Sequence, residues 1–308
     1  MAVTRTEGAG ALAEPCVHRP ARAASRRALR WALAVTALFA VVEAVGGFAA
    51  GSLALLADAG HMVTDVASLA LSLFGAWAAA RPADAKATYG WYRVEILAAL
   101  VNGAVLLGVT GWIVVEAVLR LQSPHPVRPG IMVPVASAGL VANLACVVLL
   151  HRARGESLNV RGAYLHVLSD VLGSLSAVVA GLVILATGWT PADPILSILI
   201  SALLLVAALR LVTRSVDILL EAAPAHVQVK DVEASIAAVP SVRGVHDLHV
   251  WTVSDGMVAM SAHATVPELE RHQETLEEIT RRVRRFGIQH VTVQLEREPL
   301  CEEGGRRP

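Results

Sequence analysis

Five ionisable residues sit inside two long apolar stretches of the chain: Asp58, His61 and Asp65 in one, His166 and Asp170 in the other. An ionisable group in a bilayer core is expensive, so each one is a functional hypothesis by default. The two stretches share a pattern. His61-Met62-Val63-Thr64-Asp65 and His166-Val167-Leu168-Ser169-Asp170 are both H-x-x-x-D, and a spacing of four puts imidazole and carboxylate on one face of a helix. Two imidazoles and two carboxylates are a natural tetrahedral donor set for Zn²⁺. Their two negative charges also balance the ion where water is scarce. Hydrogen bonds or ion pairs between helices, without a metal, would explain one such motif; two matched copies favour the metal.

Catalysis is not what this donor set predicts. Met62 and Val167 follow the two histidines, so the glutamate that activates water in an H-E-x-x-H metalloprotease is absent. A closed four-ligand site also leaves no open position for water. The expectation is a transporter rather than an enzyme, with a non-transporting metal sensor and an intramembrane metalloprotease as the competing readings.

Composition agrees with a membrane setting. Of 308 residues, 55% are apolar and 17% charged, against about 25% charged in a usual soluble domain. The mean hydropathy is +0.57. These values exclude a disordered chain, a small secreted domain and an ordinary cytosolic enzyme. The 26 basic and 26 acidic residues cancel, so no nucleic acid partner is implied. Cys16, Cys146 and Cys301 are scattered and form no framework.

Hydropathy predicts an all-α domain of six spans, at 29–50, 52–80, 94–120, 130–150, 162–187 and 193–213, each near the roughly 20 residues a bilayer core requires. Fourteen basic residues fall on one side: Arg5, Arg19, Arg22, Arg26, Arg27 and Arg30 before the first span, then Arg81, Lys86, Arg93, Arg152, Arg154, Arg161, Arg210 and Arg214. Only Arg120 and Arg128 occupy the opposite loops. Both termini are therefore expected in the cytoplasm. The second and fifth spans then run antiparallel. At about 1.5 Å per residue, Asp65 lies about 9–10 Å and His166 about 6–8 Å from the cytoplasmic end of a roughly 30 Å core. His61 and Asp170 fall about one turn deeper, so the four meet in one layer. Glu43, Asp58, Asn102, Glu116 and Asn143 are further polar residues in the spans, fit to line a hydrated path or to cap and bridge helices, with Glu116 close to the outer boundary and expected at the interface.

Beyond about residue 215 the periodicity changes. Val232, Ile236 and Val239 have helical spacing, and 245–253 and 257–266 read as a hairpin around Ser254-Asp255-Gly256. Leu269, Leu276, Ile279, Val283 and Phe286 mark an amphipathic helix, and 288–296 alternates as a last strand. The order α-β-β-α-β predicts a small α+β domain with helices on one face of a three-stranded sheet. The expected division is a disordered arm at 1–25, the six-span domain at 26–214, the cytoplasmic α+β domain at 215–297 and a disordered tail at 298–308. Cys16 and His18 lie in the arm with no assigned role.

With these residues in view, the chain resembles the cation diffusion facilitator family of zinc-type exporters over about 29–297. The resemblance is carried by GSLALLADAGHMVTD (51–65), YGWYRVEILAALVNG (89–103), HVLSDVLGS (166–174), HDLHVW (246–251) and HVTVQLE (290–296). It implies a homodimeric antiporter in the lipid bilayer, at the cell membrane, that exchanges zinc for protons, with cadmium and cobalt as further candidate substrates. It also implies that His61, Asp65, His166 and Asp170 form the transport site, and that the metallochaperone-like cytoplasmic domain dimerises and holds regulatory zinc. By position, His246, His263, His290 and Glu296 match residues of those cytoplasmic sites, and Arg93 and Glu221 match a charge pair at the dimer hinge. Two features depart from many relatives: 151–161 has one histidine instead of a histidine-rich loop, and 83–93 has none.

Alternation tests the cytoplasmic set. Val291, Val293 and Leu295 take the core face of the last strand, which leaves His290 and Glu296 on the other face but about 20 Å apart at about 3.3 Å per residue. They cannot share one ion. His263 falls opposite Val258, Met260, Ala262 and Ala264, as a ligand should, while the pattern leaves open whether His246 or His249 leaves the core.

Overall fold

A computed structural model describes residues 19–50, 53–122, 129–155, 157–254 and 256–298, with side chains described for most of them. The side chains of Glu43, Asp58 and His61, the whole of Cys16 and His18, and the expected turn residue Asp255 lie outside the described residues.

Six long helices come first: α1 (Arg19–Ala50), α2 (Leu53–Ala78), α3 (Tyr92–Gln122), α4 (Pro129–His151), α5 (Leu158–Thr187) and α6 (Ala192–Leu219). Among the described residues, four helical segments are long and apolar enough to cross a membrane: Tyr92–Gln122, Val133–His151, Leu158–Thr187 and Ala192–Leu219. The surface pattern of this part is inverted relative to a soluble bundle. Leu38, Trp112, Val141, Val148, Leu199 and Leu203 are each more than 60% exposed, while Ser72, Asn102, Asn159 and Ser215 are buried. Lipid tails tolerate apolar side chains outside, and polar ones must find partners inside.

Local signals set the helix ends. Ser157 caps α5 by accepting from the backbone N–H of Val160 at 3.2 Å. Gly188 ends it in the left-handed region at φ 70, its N–H donating to the Ile184 carbonyl. Within the bundle α3 packs along α6, α4 along α5 and α1 along α2, while α2 and α5 both touch α3. Two glycines permit close approach: a Cβ on Gly75 would lie 2.9 Å from Ala98 Cβ, and one on Gly103 2.9 Å from Val212 Cγ2. α6 runs past residue 214 to Leu219 as one unbroken stem toward the C-terminal domain.

That domain contains α7 (Val229–Ala237), β1 (Gly244–Ser254), β2 (Met257–Thr265), α8 (His272–Val283) and β3 (Ile288–Glu296). The sheet order is β1-β2-β3. β1 and β2 are an antiparallel hairpin. β3 runs parallel to β2, Met260 beside Val291 and Thr265 beside Glu296, because α8 carries the chain back across the sheet. Val232 and Ile236 of α7 and Ile279 and Val283 of α8 bury one face against Val250, Val258, Met260, Ala262, Ala264 and Ile288. Helices therefore cover one face and leave the other to polar residues.

Two predicted helices are shorter than their apolar spacing suggested. α7 stops at Ala237 and buried Val239 follows it, since Pro240 disfavours helical backbone in the residue before it. The segment 269–286 divides into a 3-10 turn at Leu269–Arg271, α8, and a second 3-10 turn at Arg284–Phe286. Gly287 at φ 80 ends it.

Candidate metal centres

α2 presents Asp65 and α5 presents His166 and Asp170, the last two one turn apart on one face. His166 Nε2 lies 3.1 Å from Asp65 Oδ1. One ligand atom from each of Asp65, His166 and Asp170 can be chosen so that all lie within 4.8 Å of one another. Two ligands of a tetrahedral zinc with bonds of about 2.0–2.1 Å stand about 3.3 Å apart, so the Asp65–His166 separation fits a shared ion as well as a hydrogen bond. Asp65 is 2% and His166 5% exposed. Asp65 Oδ2 and His166 Nδ1 are buried without a hydrogen-bond partner, which is costly in an apolar interior. Asp170 is half-buried, with Ser169 Oγ donating to its Oδ1 at 3.3 Å. α2 also carries His61, one turn before Asp65, but the placement of its side chain lies outside the described residues.

A second cluster forms on the helix-free face of the sheet. His263 Nδ1 lies 2.8 Å from Glu296 Oε1, and His246 Nε2 3.3 Å from Glu296 Oε2. Neither ring nitrogen has hydrogen-bond geometry toward a partner, so the three groups converge on common space instead of bonding one another in line. Glu296 is buried. Their ligand atoms lie within 4.8 Å of one another. Donors of two imidazoles and a carboxylate at this spacing fit Zn²⁺.

The register decides between the two histidines of HDLH. Pairing runs Gly244↔Thr265 and His246↔His263, slips, and resumes at His249↔Ser261. Asp247, at φ 50, occupies the bulge, so His246 turns to Glu296 while His249 pairs with Asp247, Nε2 to Oδ1 at 3.0 Å. Asp247 Oδ2 is also 3.8 Å from His263 Nε2. No spacing in the sequence marks Asp247; only the bulge brings it there. His290 stands apart, its ring 5.3 Å from that of Tyr89.

Arg93 and Glu221 meet where the two parts join. Arg93 Nη2 donates to Glu221 Oε1 at 2.6 Å, the side chains being 43% and 59% exposed. Nearby, Thr252 of β1 donates its N–H to the Ala222 carbonyl. A cavity of about 850 Å³ opens beside the pair, lined by Lys86, Tyr89, His249 and Trp251 among others. The preceding loop is tied by Asp84, which accepts from the backbone N–H groups of Ala87 and Lys86 and from Trp91 Nε1. These donors hold its carboxyl below the usual carboxylate range.

Comparison with known proteins gives matches over nearly the whole chain. Residues 29–220 match the cation efflux transmembrane domain, and residues 224–298 match the cation efflux protein cytoplasmic domain. The chain is 46% identical over 285 residues to the zinc transporter ZitB of Escherichia coli (strain K12), covering 92% of this chain and 90% of that one. It is 41% identical over 284 residues to the metal cation efflux system protein CzcD of Cupriavidus metallidurans, covering 91% and 89%. It is 36% identical over 286 residues to the cadmium, cobalt and zinc/H(+)-K(+) antiporter of Bacillus subtilis, covering 91% and 92%.

Proposed function

We propose that this chain, which belongs to the cation diffusion facilitator (cation efflux) family, exports zinc in exchange for protons at a site made by His61, Asp65, His166 and Asp170. Membership makes it a multi-pass metal transporter and not an enzyme. The observation that carries the finer reading is the convergence of Asp65, His166 and Asp170 within the membrane part, the first two buried and each with one ligand atom left without a hydrogen-bond partner.

The mechanism is alternating access around that site. His61 and His166 must be neutral and Asp65 and Asp170 ionised to hold the ion, so zinc arriving from the cytoplasm displaces protons. After release on the far side the same groups take up protons, and an inward proton gradient drives export. Cadmium and cobalt, which the Bacillus subtilis relative is named for alongside zinc, are further substrates in this reading.

The same reading gives six spans, α1 to α6, in the cell membrane with both termini cytoplasmic. It divides the chain into the membrane part at 26–214, with α6 continuing as a stem, and the cytoplasmic domain at 215–297, flanked by 1–25 and 298–308. Two copies pair through the cytoplasmic domain, where His246, His263 and Glu296 hold regulatory zinc and His290 contributes separately. Arg93 and Glu221 form the hinge.

Zinc flux into liposomes under an imposed pH gradient tests the reading. Asp170→Ala should abolish flux in a folded protein, because three ligands with one charge hold the ion poorly. Near-normal flux in that variant would overturn the site assignment, and flux indifferent to the pH gradient would overturn the coupling.

A further inference from the structure

We infer that Asn102 and Asn159 shut the cytoplasmic side of the transport site by clamping α2 to α3 and α5, and that zinc reaches the site from the cytoplasm only when the clamp releases. The inference rests on the reading of Asp65, His166 and Asp170 as that site.

Asn102 Nδ2 of α3 donates to Ser72 Oγ of α2 at 2.7 Å and approaches the Ser68 carbonyl at 3.4 Å. Asn159 Nδ2 of α5 donates to the Ser72 carbonyl at 2.5 Å. Two asparagines from two helices thus grip one residue of a third. Ser72 and Asn159 are fully buried and Asn102 nearly so.

The position of the grip gives it a role beyond packing. Ser72 follows Asp65 by seven residues, and Asn159 precedes His166 by seven. Seven residues are two turns, about 10.5 Å along the axis and nearly the same helix face. Both steps lead toward the end of the bundle that joins the C-terminal domain, which matches the family's cytoplasmic domain. The clamp therefore lies below the site on the cytoplasmic route. One turn further down, Gly75 packs so tightly that a Cβ would meet Ala98 Cβ at 2.9 Å and Asn159 Nδ2 at 3.2 Å. An ion cannot pass there without separation of α2 from α3. In the opposite direction, Asp170 is less buried than His166.

The clamp also carries the means of its own release. Asn159 Oδ1 is buried without a hydrogen-bond partner. A buried orphan acceptor is penalised until water reaches it, so opening the route trades donor bonds for hydration of that oxygen. Amides that bond across helices also hold packed membrane helices together, and the place of this grip, two turns from Asp65 and His166 on the cytoplasmic side, is what gives it a gating role.

The test uses full-length protein with Cys16, Cys146 and Cys301 replaced and one reporter, Ser68→Cys, placed between clamp and site. Ser68 contributes its carbonyl, which the reporter keeps. Inside-out vesicles in zinc-free buffer receive a membrane-impermeant maleimide on the cytoplasmic face. Asn102→Ala and Asn159→Ala should each speed modification at least tenfold. In matched inside-out vesicles holding protein with Ser68 intact, each should lower KM for cytoplasmic zinc while slowing turnover, since access is eased and closure impaired. Labelling within twofold of the parent in both variants overturns the inference. Faster labelling with a raised KM also overturns it, because that is general loosening. Should either variant fail to fold, Ser72→Ala removes one acceptor with little volume change, and the same criteria apply with a severalfold increase expected. Labelling without zinc does not depend on the site assignment, which fails separately if Asp170→Ala transports.

Discussion

Arg93 and Glu221, 128 residues apart in sequence, meet at the joint between the membrane part and the sheet domain, Nη2 to Oε1 at 2.6 Å. Arg93 is the second residue of α3, and Glu221 follows α6 with its backbone in the left-handed region at φ 60. With both partners about half exposed in a single chain, the pair contributes about 0–1 kcal/mol to stability. Its value lies in geometry. Arg93→Glu should reduce zinc flux severalfold with little change in melting temperature, and adding Glu221→Arg should restore part of the flux. Flux in liposomes beside thermal unfolding of the same preparations checks this, and absence of rescue in the double variant would separate the two residues functionally.

Selectivity should follow the donor set. Zinc accepts imidazole and four-coordination, whereas larger or harder ions favour oxygen and higher coordination. His61→Asp keeps four ligands while adding an oxygen donor able to bind through both atoms. The variant should retain zinc transport and raise the cadmium-to-zinc flux ratio severalfold over the parent. Paired measurements in one liposome preparation cancel differences in expression, and an unchanged ratio would shift selectivity to the packing around the site.

The cytoplasmic cluster should hold an ion independently of transport. In an Asp65→Ala background, Glu296→Gln should lower bound zinc by about one ion per chain, since the carboxylate faces both His246 and His263. Equilibrium dialysis of the full-length protein reads the stoichiometry. Equal zinc in both proteins would leave the cluster as a structural contact.

Asp84 should add a narrow acid dependence. Its carboxyl is held below its ordinary pKa of about 4 by the N–H groups of Ala87 and Lys86 and the indole of Trp91. The unfolded chain therefore binds this proton more readily than the folded one. The stabilisation is complete above the ordinary value and is lost as pH falls through the lowered one. Between pH 5 and pH 3 the melting temperature of the parent should fall more steeply than that of Asp84→Asn. Parallel curves over that window would show that the loop contacts do not discriminate charge.

Much of this protein is legible without coordinates because the relevant signals are local. The H-x-x-x-D repeats place Asp65 with His61 and His166 with Asp170 through helix geometry alone, and period-two alternation in 288–296 separates Val291, Val293 and Leu295 from Glu296. What alternation could not decide was the choice between His246 and His249. A bulge at Asp247 changes which side chain faces the sheet's open side, and an extra residue in one strand leaves no periodic trace. The Asn102–Ser72–Asn159 clamp is likewise invisible in sequence. Ser72 and Asn159 lie 87 residues apart, and an amide in an apolar helix names no partner until packing brings a carbonyl within reach. Local periodicity determined which residues face inward; only the tertiary structure decided which of them meet, because those contacts depend on how helices and strands are set against one another.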